Sequence, residues 1–194
     1  AIPELRERGA VPVLVEGPFD ALAVTLAGHG RYVGIAALGT ALTHEQARQL
    51  ATTCTRPIIA TDADLAGRVA AERAFWLLTQ HGTDPLAVDL PDSADPASLL
   101  HAQGPDALIQ LLESARPLGE VLIDERLMNL SGRAAFEAAT RVIAARPPFI
   151  WATTTTAAAC HAGIDLETAA KHFRDAVTEW NRDPAHAAAG HPGA

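Results

Sequence analysis

From Val11 onward, short apolar runs rich in β-branched residues alternate with longer segments whose apolar positions recur every three or four residues. The short runs read as strands and the periodic segments as helices, and their alternation is the mark of a parallel sheet built from βαβ units. The pattern predicts strands over residues 11–15, 32–36, 58–61 and 86–89. Each is short and almost wholly apolar, as expected of strands covered by helices on both faces. Helices are predicted between them over 19–28, 43–52 and 65–81, with Thr43 and Gln46 forming a capping box and Gly28 and Gly82 acting as stops.

After Leu90 no strand pattern returns, and the remaining segments are helical in period and rich in alanine. Asp95 followed by Pro96 opens the first of them, with the Asp as N-cap and the Pro at the first helical position. Helices are expected over 96–102, 105–115, 118–130 and 133–145. Leu166, Ala169, Ala170, Phe173, Ala176, Val177 and Trp180 then form one apolar stripe behind the cap Asp165, which reads as a packing face. The stretch 153–159 is low in complexity and fits either helix or loop. The expected organisation is an α/β domain over 1–117, a small all-helical subdomain over 118–183 and a disordered tail over 184–194.

Composition narrows the class. The chain has 194 residues, 48% of them hydrophobic, enough for one sizeable core with a helical appendage. No apolar run approaches the length of a bilayer span and no signal peptide opens the chain, so a cytoplasmic protein without a membrane association is expected. An Ala at position 1 and a charged opening suggest a piece of a longer polypeptide. Cys54 and Cys160 are the only cysteines and neither sits in a CxxC pair, so neither a zinc ribbon nor a disulfide framework is supported, and both are expected to be small buried residues. A net charge of -8 argues against nucleic-acid binding by bulk electrostatics. Any attraction for nucleic acid must be local, and bound divalent cations can supply it.

The chemistry gathers at the C-terminal ends of the predicted strands, where open α/β sheets place their ligands. The first strand runs into Glu16-Gly17-Pro18-Phe19-Asp20. The second runs into Leu38-Gly39-Thr40, a turn of small residues that leaves room for a ligand or for close backbone approach. The third runs into Asp62-Ala63-Asp64-Leu65-Ala66-Gly67, whose two acids, two residues apart in an extended segment, project to one side. Glu16, Asp62 and Asp64 would then converge on one or two hard cations, in the open, few-carboxylate manner that suits Mg2+ and phosphoryl transfer. Each acid also has a structural reading. Asp20 lies in the first turn of a helix, where the dipole favours any carboxylate, Asp95 serves as a cap, and Asp64 can cap the helix that follows it. Arg68, behind the acidic turn, either meets phosphates or belongs to a solvated helix face. No histidine pair has ligand spacing, and Phe75 and Trp76 read as core.

The ordered set EGxxD, LGT, DxDxAG and an Asp-Pro pair opening a helix resembles the Toprim fold, and its spacing is similar to that of the bacterial DnaG-type primases. The resemblance covers roughly Val11 to Leu118, and the later helices resemble the small helical subdomain that ends the primase polymerase core. It implies a Rossmann-like sheet of about four parallel strands flanked by helices. It further implies Glu16, Asp62 and Asp64 as catalytic metal carboxylates with Asp20 and Asp95 at or near the site. Gly17, Gly39, Thr40 and Arg68 are the expected nucleotide or nucleic-acid contacts. The activity implied is metal-dependent synthesis of RNA primers from nucleoside triphosphates on a single-stranded DNA template, with two or more Mg2+ or Mn2+ ions and a replicative helicase or sister domains as partners. A DNA-cleaving Toprim enzyme, of nuclease or topoisomerase type, and a noncatalytic assembly module are the alternatives. The single tyrosine, Tyr32, sits at a predicted buried strand start, which counts against strand passage.

Overall fold

The computed structural model describes residues 5, 9–37, 42–53, 56–91 and 94–188. The chain divides into two compact units, Ala1–Leu118 and Gly119–Pro192.

The first unit is built on five short strands, β1 (Val11–Val15), β2 (Tyr32–Ala36), β3 (Ile58–Ile59), β4 (Leu86–Ala87) and β5 (Arg116–Pro117), in the order β2-β1-β3-β4-β5. The first four are parallel and β5 closes the edge antiparallel to β4. Period-two alternation splits β1 between two faces. Val11, Val13 and Val15 join a core with Val24, Leu99, Leu108 and Leu112 from α1 (Pro18–Gly28), α4 (Pro96–Gln103) and α5 (Pro105–Glu113). Leu14 and Ile59 face the other way, toward Ala66, Ala70 and Ala74 of α3 (Leu65–Thr79). That helix also packs against α2 (His44–Ala51). The mixed α/β architecture is the one expected, including the adjacent parallel strands.

Three details differ from expectation. A fifth strand exists where none was predicted, because an Arg-Pro pair has no alternating pattern, and Pro117, lacking an N–H, is tolerated only at an edge such as this one. Strands β3 and β4 are two residues shorter than predicted, since the chain leaves the ladder as it enters the loops that follow. The left-handed residue ending α1 is His29 (φ 46°), not Gly28. Gly28 stays helical, and a Cβ there would lie 2.9 Å from Tyr32 Cβ, so its smallness lets the helix pass close to β2. Gly82 does adopt positive φ, at 74°.

The second unit is helical among its described residues. Helix α6 (Leu118–Asn129) is followed by α7 (Gly132–Ala145), α8 (Trp151–Ala162), α9 (Leu166–Arg182) and the short α10 (Pro184–Ala188). The low-complexity stretch is therefore helix, and the segment from Pro184, expected to be disordered, starts with a helical turn. Asp165 caps α9 by accepting from the Thr168 amide at 2.9 Å. Along α9, Ala169 is buried and Phe173, Ala176, Val177 and Trp180 are half-buried, while Leu166 and Ala170 fall outside the packed face. Phe173 meets Trp151 edge-on at 5.4 Å. Cys160 is exposed rather than buried, because Thr155, Ala158 and Ala159 define the inward face of α8 and position 160 turns away from it. Phe75 and Trp76 are core residues, as expected. No helix among the described residues is long and apolar enough to cross a membrane.

The crossing of α1 over β2 sets a tight steric limit, because a Cβ on Gly34 would fall 2.2 Å from the Ala21 carbonyl oxygen. Backbone cannot yield cheaply there, so Gly34→Ala is expected to lower stability by about 1–3 kcal/mol, read by urea unfolding against the parent chain.

Candidate metal centre

The register of the sheet decides which acids meet. Strands β1 and β3 are neighbours, with Val13 beside Ile58 and Leu14 beside Ile59. The Ala60 amide extends this ladder by donating to the Leu14 carbonyl at 2.8 Å. The next residues on the two strands, Glu16 and then Thr61 and Asp62, therefore emerge together at the C-terminal edge. Glu16 Oε1 accepts the Asp62 amide at 3.1 Å, a bond that ties the two acidic turns across 46 positions of sequence.

The Asp62 turn is held from its other side by α3. Asp64 is the N-cap of that helix, and its Oδ1 accepts from the Gly67 amide at 2.7 Å. Thr61 Oγ1 donates to the Gly67 carbonyl at 2.9 Å. A Cβ on Gly67 would lie 2.1 Å from the Asp62 carbonyl oxygen, which explains the Gly at that point of the motif. Asp64 thus takes the capping role that its position allows.

Asp20 and Asp95 are joined to the same edge through α1 and α4. Asp95 caps α4, accepting from the Ser98 amide at 2.6 Å, while Ser98 Oγ accepts the Asp95 amide at 3.0 Å. Asp20 is buried, with 9% of its surface exposed. Its Oδ2 accepts from the Gly17 amide at 3.1 Å and its Oδ1 from the Ala97 amide at 3.2 Å.

These five acids share one field. The Asp62 carboxyl is held above the ordinary carboxylate range by burial first, and then by the negative charges of Glu16, Asp20, Asp95 and Asp64. They do not form a ready-made cage, however. Among the described residues no three His, Cys, Asp or Glu side chains stand together as a group that could hold a metal ion. Of the other expected contacts, Gly17 contributes its amide to Asp20, and a Cβ there would sit 2.8 Å from Asp20 Oδ2. Arg68 is exposed on the first turn of α3. Gly39 and Thr40 lie outside the described residues. An apolar cavity of about 320 Å3, walled by Leu14, Ile59, Ala66, Ala70 and Ala74, opens beside Glu16 and Thr61.

Sequence reasoning missed Thr61, Ser98 and the Ala97 amide. Asp-x-x-Ser at 95–98 was a readable reciprocal cap. The Ala97 amide carries no side-chain signal at all.

Comparison with known proteins shows what this arrangement is similar to. Residues 13–100 match the family described as Toprim-like. The chain is 32% identical over 123 residues to the DNA primase of Clostridium acetobutylicum, covering 63% of this chain and 20% of that protein. It is 37% identical over 126 residues to the DNA primase of Aquifex aeolicus, covering 65% of this chain and 25% of that one. The crystal structure of the Aquifex aeolicus primase zinc-binding and RNA polymerase domains superposes with a TM-score of 0.69 at 29% identity, over 87% of this chain and 41% of that one. The chain spans a quarter or less of the length of these two primases. Strands, acidic turns and flanking helices fall within residues 13–100, the stretch that matches the Toprim-like family, and over that stretch the chain is similar to part of the bacterial DNA primases.

Proposed function

We propose that this chain is the metal-binding nucleotidyl-transfer part of a DNA primase, which joins ribonucleotides on a single-stranded DNA template. The observation that carries the reading is the raised carboxyl of Asp62, surrounded by four further acids at the C-terminal edge of a parallel sheet. Such a concentration of negative charge is uncomfortable by itself, and a divalent cation is the natural counter-charge. The donor set is wholly carboxylate, which suits a hard cation such as Mg2+ or Mn2+. It is also open, which leaves room for water and for the phosphates of a nucleotide.

Glu16, Asp62 and Asp64 are the residues assigned to hold the cation, with Asp95 alongside. A bound divalent ion supplies neutralisation of the triphosphate and lowers the pKa of an attacking 3′-hydroxyl, and primase chemistry of this kind uses two or more such ions. The protein's own part is mostly positional. Glu16 braces the Asp62 turn through its amide, Asp64 fixes where α3 begins, and the exposed Arg68 lies one turn into that helix, within the region a nucleotide phosphate would occupy. The Gly17 turn allows close approach of nucleotide or DNA, and Gly39 and Thr40 are assigned by sequence alone as further contacts. The net charge of -8 and the similarity to DNA primases support a reading in which much of the affinity for template comes from bound cations and sister domains. A replicative helicase is the proposed partner of the assembled protein, in the cytoplasm. Tyr32 is buried at the start of β2, which leaves a topoisomerase-like reaction without its nucleophile in this chain.

Two measurements check this reading. With Mg2+ or Mn2+, the polypeptide carrying the chain is expected to extend primers on a single-stranded template and to leave supercoiled plasmid intact. Asp62→Asn should lower extension by about 100-fold or more. Nicking without extension would favour a nuclease instead. Stability provides the second. Ionised Asp62 costs stability above its raised folded pKa, and the cost fades as pH falls toward the ordinary value of 3.8. Metal-free Asp62→Asn should therefore melt at a higher temperature than the parent at neutral pH, with the gain vanishing near pH 4, as followed by circular dichroism.

A further inference from the structure

Asp20 differs from the other acids of the centre in what its carboxylate already does. It is nine-tenths buried, and each of its two oxygens accepts a backbone N–H from a different helix start. Oδ2 takes the Gly17 amide, one residue after Glu16, and Oδ1 takes the Ala97 amide, two residues after Asp95. The two amides are eighty positions apart in sequence, and Asp95 separately caps the same α4 terminus through Ser98. Carboxylates bonded to backbone amides at helix N-termini are stabilised by both the hydrogen bonds and the helix dipole. Gly17 is shaped for this contact, since a Cβ there would crowd Oδ2 at 2.8 Å. Each Asp20 oxygen thus already commits one of its lone pairs to a backbone N–H that holds two turns together.

We propose that Asp20 is a positioning residue rather than a metal ligand: its carboxylate ties the Glu16–Gly17 turn to the start of α4, and so sets the spacing of Glu16 and Asp95 around the cation. This rests on the reading of Glu16, Asp62 and Asp64 as cation holders. The division of labour is physical. Glu16, Asp62 and Asp64 meet the cation, while Asp20 keeps two of the turns that carry acids from drifting apart under mutual repulsion.

The test compares Asp20→Asn with Glu16→Gln, both near-isosteric and both removing one negative charge. A ligand in a repelling cluster should stabilise the metal-free protein when neutralised. A tie should destabilise it, because the amide group of Asn offers only one acceptor oxygen to two N–H donors. The metal-free melting temperature is expected to fall by roughly 2–8 °C for Asp20→Asn and to hold or rise for Glu16→Gln. Amide hydrogen exchange at both Gly17 and Ala97 should quicken in Asp20→Asn only. Mn2+ titrated calorimetrically well below the melting temperature should bind Asp20→Asn about tenfold more weakly with unchanged stoichiometry, as for other supports of metal ligands. A higher melting temperature for metal-free Asp20→Asn, unchanged exchange at the two amides, loss of one Mn2+ equivalent, or unchanged Mn2+ affinity would each overturn the proposal. Failure of the parent protein to bind Mn2+ at all would instead remove the metal reading, while melting and exchange would still decide whether Asp20 is a tie.

Discussion

Glu16 Oε1 receives the Asp62 amide only because β1 and β3 lie side by side and in register, and most of the chemistry assigned to this domain depends on that adjacency. Two strands that are 45 residues apart in sequence where Leu14 meets Ile59 become neighbours through the crossovers between them, and both release a carboxylate at the same edge. One bond then joins them. A carboxylate acceptor makes a stronger link than a neutral one, and this link forms among the clustered acids. The site is therefore braced by one of its own acids.

The same economy recurs around it. Asp64 and Asp95 each start a helix, Asp20 bridges two helix starts and Glu16 takes the Asp62 amide, so four of the five acids serve backbone amides before any ligand arrives. Helix N-termini are suited to hold clustered carboxylates that would otherwise repel one another, since the exposed amides and the dipole offset part of the charge. Asp62 is the acid this compensation reaches least, and its carboxyl is the one pushed upward. A cation completes what the backbone begins.

How much of this was legible depends on whether an interaction has a side-chain signature. Strands β1 and β2 were readable to the residue because five consecutive positions keep the apolar pattern. Strand β5 was not, since two residues of Arg-Pro pair by edge position alone. The acids announced themselves by falling after strands, yet their roles divided in a way that spacing could not state. Asp62 and Asp64 look equivalent at two-residue separation until the helix that begins at Leu65 claims one of them. Asp20 looked like a metal acid or a simple first-turn residue, and its partner turned out to be the Ala97 amide, which no sequence pattern advertises. Residues 153–159 could not be assigned from composition because burial of Thr155, Ala158 and Ala159 on one face, a tertiary fact, makes them helix. Cys160 was misread for the same reason.

The central claim is that an open set of carboxylates at this sheet edge takes up a divalent cation, and direct titration of Mg2+ while following the melting temperature tests it most simply. Binding to the folded state alone raises stability as RT ln(1 + [Mg2+]/Kd), about 2.7 kcal/mol at a hundredfold excess over Kd. The account predicts a melting temperature that climbs with the logarithm of Mg2+ concentration in the parent chain and stays nearly flat in Asp62→Asn at constant ionic strength. An equal rise in both proteins, or none in the parent up to millimolar Mg2+, would contradict it.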